Sequence, residues 1–429
     1  MSTTAAPVRA LTVETTPVDD IRHLIPLLDS SEPLLWMRKG EGLAGIGESI
    51  RLEFSGPDRM AQAAEAWRLL ASAATVTDPI GRPGTGLVAF GTFTFSAHSG
   101  LTSVLIVPRT IVGRRGGISW ITRVQANDGL DSSALAGASV TASAVAGRMP
   151  QATPFGSEYR ISLLPGAMGK ADYSTAVATA VERIGRGELE KVVLARDLVG
   201  HLPLESDRRR PLVELALGYP DCWTYAVDGF MGSSPETLVR VDHGTVSARV
   251  LAGTISRGGD AEADHDSAVA LATSSKDRDE HQFAVQSVLA ALSPHSSRLV
   301  TSEMPFTLKL PNLWHLATDV EGTLSDGSTS LDLIAALHPT AAVAGTPTAS
   351  ALALIDELEP FDRGRYAGPV GWVGADGDGE WAVALRCAQV SPAGDITAYA
   401  GAGIVADSDP ERELAETRMK FRPVVEAFG

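Results

Sequence analysis

The sequence predicts an α/β protein of the α+β kind, with large, mostly antiparallel sheets covered by helices. Short alternating or apolar runs recur with Gly-containing turns between them: GLVAFGTFTFS at 86–96, TSVLIVPRTIVG at 102–113 and ISWITRVQ at 118–125 read as neighbouring antiparallel strands. Helical stretches stand isolated among such runs instead of alternating with single strands, which argues against a regular βαβ repeat. No internal repeat is visible, and no run approaches the roughly 18 apolar residues of a membrane span.

The remaining elements follow in order. The stretch from Gln125 to Glu158 is rich in Ala, Ser, Gly and Pro and reads as a connector, with an Ala-rich piece able to form a helix. From 171 to 200 a capped amphipathic helix broken at Gly185 and Gly187 leads into a strand on Val192, Val193 and Leu194. Further strands are expected at GTVSARV, at GPVGWVG and EWAVALRCAQV across a DGDG turn, and at DITAYAGAGIV. Helices are expected at 276–292, 331–337, 348–357 and 411–427. The DGDGE of 376–380 begins like a calcium loop, but the later ligands are missing and it reads as a hairpin turn.

A chain of 429 residues accommodates one large domain or two to three ordinary ones. Its net charge of −16 opposes nucleic acid and anionic membranes, because no basic field exists to displace counterions from phosphates. A small anionic ligand would need local Arg, Lys or a metal ion to overcome that background. The opening MSTTAAPVRALTVETTPVDD has no basic region followed by an apolar segment, so a cytoplasmic protein is expected. Cys222 and Cys387 are too few for a disulfide scaffold or a cysteine zinc site. Phosphate-binding glycine loops, a GxSxG elbow and HExxH are all missing.

Two acidic clusters stand out. SKDRDEHQFAVQSVLAAL (275–292) starts with Asp277, Asp279 and Glu280 among Lys276, Arg278 and His281, then places Val285, Val288, Leu289 and Leu292 on a buried stripe, with Glu280 along its edge. SDPERELAETRMKF (408–421) offers Asp409 and Pro410 as N-cap and N1, then Glu413, Glu416 and Lys420 on one face. First-turn acids favour the helix dipole, and Glu416 with Lys420 is a stabilising i, i+4 pair. Two such helices could equally offer facing carboxylates, the hard oxygen ligands that Mg²⁺ takes together with waters and a substrate anion. Lys191 heads the strand VVLAR, and Glu236 follows Pro235 just as an apolar strand resumes. Both suit ordinary strand-end and turn positions. A buried base and a buried acid are also what addition of water with loss of a hydroxyl requires, since burial disfavours the charged form of each.

Taken in order, ELEKVVLAR, MGSSPETLV, LAGTISRG, SKDRDEHQFAV, LWHLATDVEG, LHPTAAVAGTP, EPFDRGRYAGPVGWVG, GEWAVALRCA and YAGAGIVADSDPERELAET with Lys420 resemble the signature of the chorismate-utilising enzymes, most closely isochorismate synthases. The resemblance covers about Ala171 to Gly429; residues 1–165 resemble only the family's variable first half. It implies one large domain of two packed, mostly antiparallel sheets with helices outside, and a catalytic half at 166–429. It further implies Lys191 as the base that activates water toward C2 of chorismate and Glu236 as the acid that protonates the departing C4 hydroxyl. Glu280 and Glu416 resemble Mg²⁺ ligands, with Glu413 in the outer shell. Tyr366 and Arg386, with backbone at Gly401, match positions that grip the pyruvyl carboxylate, and Gly253, Thr254, His315 and Lys420 match positions around the ring. Lysine at 191 favours water over ammonia as nucleophile. Ala342 stands where relatives that go on to expel pyruvate commonly carry threonine. The resemblance implies a monomer whose product feeds menaquinone or catechol siderophore synthesis.

Overall fold

The computed structural model describes residues 11–126, the backbone of 139–142, and residues 150–429. Its strands form one hydrogen-bonded network with two arms, and these are the two sheets that the sequence leads one to expect. The arms part at the strand Ser103–Arg115. One edge of that strand pairs with Glu41–Phe54; the other pairs first with Val88–Thr92 and then with Ile118–Ala126. The first arm runs through Leu34–Arg38, Trp223–Val227, Phe230–Ser234, Cys387–Val390 and Asp395–Ile404 to Lys191–His201. The second runs through Pro369–Gly374, Gly379–Val383, Thr237–Asp242 and Thr245–Ser256 to Leu313–Leu324. Among the described strands only Leu11–Val18 with Ala74–Thr77 is parallel.

Side-chain pattern explains the layering. Leu11–Val18 alternates buried and exposed residues because one face meets the core and the other meets water. The seven residues from Lys191 to Asp197 are all buried, the mark of a strand covered on both faces. Helices supply the cover. Lys170–Gly185, Arg209–Gly218, Thr348–Leu358 and Pro410–Phe428 pack on the first arm or on one another, while Ala261–Thr273 and Ser275–Leu292 lie on the end of the second. No helix among the described residues is long and apolar enough to cross a membrane.

Several elements refine the expectations. The Asp409 side chain caps the last helix by accepting from the Arg412 amide at 2.9 Å, with Pro410 at its first position. Ser274 caps the helix Ser275–Leu292, its side chain accepting from the Asp277 amide. The buried line on that helix is His281, Ala284, Val288 and Leu292; Val285 and Leu289 are only partly buried. EWAVALRCAQV is two strands, Gly379–Val383 and Cys387–Val390, because the chain crosses from the second arm to the first at Ala384–Arg386. Of the proposed connector, 127–138 and 143–149 lie outside the described residues, as does the opening stretch 1–10. Ser139–Ala142 is a strand beside Glu41–Phe54, and 150–158 carries no regular element.

Candidate active site

Two chain crossings between the arms build the site. At Pro235–Glu236 the chain leaves Phe230–Ser234 of the first arm for Thr237–Asp242 of the second; at Ala384–Arg386 it returns. A crossing strand gives up part of its ladder, so its side chains can turn into the gap between the arms. The crossings also brace each other: Val383 N donates to Glu236 O at 3.2 Å and Ser233 N donates to Arg386 O at 3.1 Å. Arg386 adopts φ +50°, a conformation that costs about 1–3 kcal/mol in a non-glycine residue and persists only where the surroundings enforce it.

The cavity between the arms encloses about 560 Å³, including its open mouth. Its lining gathers Glu236 and Arg386 from the crossings, Gly253 and Thr254 from one strand of the second arm and His315 from its neighbour. Glu280 reaches it from the helix Ser275–Leu292, Lys420 from the last helix, and Gly401 from the first arm; Ala342 and Tyr366 come from loops. Lys191 does not line the cavity. It is fully buried behind it, with Nζ 3.1 Å from Glu280 Oε1, in ion-pair contact although not aligned for a hydrogen bond.

A buried ion pair anchors the strand that carries Lys191. Glu359 accepts from the Ala195 amide at 2.7 Å and from Arg363 at 2.6 Å, while Arg363 donates to the carbonyls of Val193 and Val343. The pair thus ties the Ala342–Val343 loop to the strand; removing one partner costs about 3–5 kcal/mol.

Environment sets the charge of each group. Burial pushes the Glu236 carboxyl up to about 8, against the opposing pull of Lys191, Arg386 and Lys420, so it holds its proton at neutral pH. Burial also disfavours charge on Glu280, but Lys191, then Lys420 and Lys276, outweigh it and keep that carboxyl below its ordinary value. The cavity therefore carries two glutamates in opposite states, the arrangement that separates an acid from an anion. His315 is held well below its ordinary value by burial and by Arg386 and Lys420. Its tautomer follows from its neighbours. Arg386 Nη2, a donor only, lies 3.3 Å from Nε2, so the proton sits on Nδ1, which is 3.0 Å from Thr254 Oγ1.

Glu413 and Glu416 do not line the cavity. Glu416 bonds Lys420 at 2.6 Å, and Lys276 donates to Glu413 at 3.0 Å. Glu280, Glu413 and Glu416 are thus each drawn to a lysine and do not converge on a common point. Their chemistry still suits a hard divalent cation, since the donor set is oxygen only. Their crowding does too. Burial and then the charge of Glu416 push the Glu413 carboxyl up, and burial followed by Glu280 and Glu416 pushes up Asp277 despite its bond to Ser274. Among the described residues, the three ligating atoms that do approach within 4.8 Å of one another belong to Asp242, His243 and Asp378, at two hairpin turns outside the cavity.

Gly403 was not singled out from sequence, yet a methyl group there would stand 2.3 Å from Glu280 Oε1 and 3.1 Å from Lys191 Cε. Only glycine leaves room for those two side chains to meet. Its signal was present in the alternating glycines of AGAG, which place Gly401 and Gly403 on the same face of one strand.

Residues 4–429 match the family described as chorismate binding enzymes. The isochorismate synthase DhbC of Bacillus subtilis is 41% identical over 290 residues, covering 64% of this chain and 71% of its own. The salicylate biosynthesis isochorismate synthase of Pseudomonas aeruginosa is 32% identical over 98% of this chain and 90% of its own. The crystal structure of the 2,3-dihydroxybenzoate-specific isochorismate synthase DhbC from Bacillus anthracis superposes with a TM-score of 0.75 at 29% identity, covering 94% of this chain and 98% of that one. With a whole-chain family match and full-length structural likeness, the chain belongs to the chorismate binding enzymes, among their isochorismate synthases.

Proposed function

We propose that the protein converts chorismate into isochorismate. Water adds at C2, the ring double bonds shift, and the C4 hydroxyl departs as water, so that one water enters and one leaves. Lys191 takes a proton from the attacking water. Glu236 gives its proton to the departing hydroxyl. The observation that carries this reading is the buried Glu236 carboxyl, which burial favours in its protonated form, in the same cavity as the Glu280 carboxylate that contacts Lys191. A site that only bound a dianion would need Arg386 and Lys420 but no protonated acid. His315, neutral and oriented by Thr254 and Arg386, lines the ring pocket, and Tyr366 and the Gly401 backbone complete the grip on the pyruvyl group.

Glu280 and Glu416 would hold Mg²⁺, with Glu413 behind them, and the ion would neutralise and orient the ring carboxylate. Lysines 276, 191 and 420 would then share those carboxylates with the metal. The methyl side chain of Ala342 brings no hydroxyl to the cavity, which supports release of a product that keeps its pyruvyl group. All cavity-lining residues lie between Val193 and Lys420, which supports 166–429 as the catalytic half and 1–165 as the variable half. The protein is read as a cytoplasmic monomer whose isochorismate serves menaquinone or catechol siderophore synthesis.

Incubation of the purified protein with chorismate, in Mg²⁺ or in EDTA, followed by chromatography, tests the assignment. Isochorismate is expected in Mg²⁺ and not in EDTA. Salicylate with pyruvate would replace the reading by a salicylate synthase, and no turnover would replace it by a non-catalytic chorismate-binding protein.

A further inference from the structure

We propose that His281 is a positioning residue that sets the helix Ser275–Leu292 over the cavity and thereby holds Glu280 against Lys191. The inference rests on the reading above. Lys191 and Gly403 come from two strands paired with each other, Val193 opposite Gly403, so the ladder fixes their relative place. Glu280 comes from a helix, and no ladder fixes that.

His281 is the next residue, and it is buried. A carbonyl oxygen only accepts, so the ring nitrogen Nδ1, 3.2 Å from Ala252 O, carries the proton. Nε2 is then left to accept from the Thr318 hydroxyl at 2.7 Å. Ala252 lies on the strand Thr245–Ser256 and Thr318 on its antiparallel neighbour Leu313–Leu324. One helix side chain is thus tied to both strands. Among the described residues, these are the hydrogen bonds by which side chains of this helix reach the sheet.

The place is significant. The pairing of the two strands shifts register between Ala252 and Thr254, across Gly253 at φ +79°. A methyl group on Gly253 would stand 3.0 Å from Asp277 Cβ, so the first turn of the helix sits closely on this irregularity. The same irregularity brings Gly253 and Thr254 to the cavity and is flanked by the carbonyl that His281 occupies. A bulge that re-aims side chains beside a site is a common use of such features. His281 lines no part of the cavity, so its influence passes through Glu280.

Three variants test this. His281→Leu leaves Ala252 O and the Thr318 hydroxyl unpartnered; His281→Asn restores a donor near the position of Nδ1; Thr318→Val removes the other bond alone. Each is compared with wild type by thermal melting, by Mn²⁺ titration followed by electron paramagnetic resonance, and by steady-state kinetics. In folded His281→Leu, Mn²⁺ affinity and kcat are each expected to fall by about 10- to 100-fold, as for other residues that orient metal ligands, with KM for chorismate unchanged. His281→Asn is expected to recover most of both losses, and Thr318→Val to lose less than His281→Leu. Wild-type kcat and Mn²⁺ affinity in His281→Leu, or an equal loss in His281→Asn, would overturn the assignment. Failure of the functional reading looks different: wild type itself would leave chorismate unconverted, while the Mn²⁺ titrations would still decide whether His281 places Glu280.

Discussion

Lys191→Ala lowers kcat by about two to four orders of magnitude, the range that a positioned general base contributes, while KM for chorismate changes little. The reason lies in the division of labour within the cavity. In the proposed binding mode the substrate carboxylates would be gripped by Arg386 and Lys420, which line the cavity and which the substitution does not touch. Lys191 lies behind the cavity wall, fully buried at the head of its strand, and among the described residues its Nζ makes its ion-pair contact with Glu280. In the proposed mechanism, removing it deletes the acceptor for the proton of the attacking water. It also deletes the strongest attraction on the Glu280 carboxylate, leaving Lys420 and Lys276 to oppose burial, so the Glu280 carboxyl rises. Steady-state kinetics on a variant whose melting confirms folding would check this. A rate near that of wild type would remove Lys191 from the mechanism.

Glu236→Gln is the second large effect. Glutamine fills the same space but has no proton to give to a leaving hydroxyl, so kcat again falls by about two to four orders of magnitude. The pH profile makes the prediction specific. With the wild-type carboxyl pushed up by burial to about 8, kcat/KM falls as pH rises through that value and the acid loses its proton. In Glu236→Gln that limb disappears. On stability the substitution acts the other way, as a gain. From about 4.5, where an exposed glutamate ionises, to about 8, the folded state keeps a proton that the unfolded chain has released. Stability therefore declines with rising pH across this window, and the cost is full above it. Glutamine has no such cost, so the advantage of Glu236→Gln in melting temperature should grow between pH 5 and 8. A uniform difference over that range would show that Glu236 is not held protonated.

Much of the fold could be read because local signals agreed with the global arrangement. Asp409 before Pro410, the glycines after Ile184, and the apolar strands around Ser103–Arg115 each specify one local conformation. What was missed lacked such a signal. The helix Ala261–Thr273 buries only Asp264 and Leu271, so it has no apolar stripe to detect, and Arg59–Ala73 begins at Asp58 without a side-chain cap. The break at Ala384–Arg386 is hidden in a continuous strand-like run because crossing between arms is a tertiary event. The candidate site was legible as an ordered set of motifs. Its geometry was not, since the exclusion volume at Gly403 and the tautomer of His281 depend on residues distant in sequence. His281 in particular looked like part of a charged helix start. Only the packed structure shows it on the buried line.

In the proposed mechanism the new hydroxyl comes from solvent water attacking C2, with Lys191 as base and Glu236 as acid. This is tested most directly by running the reaction in ¹⁸O-labelled water and examining isochorismate by mass spectrometry at early times, before reversal scrambles the label. One ¹⁸O is expected in the newly formed isochorismate, located on the C2 oxygen. Unlabelled isochorismate would mean that the C4 hydroxyl is passed across the ring without exchange, and would contradict the mechanism.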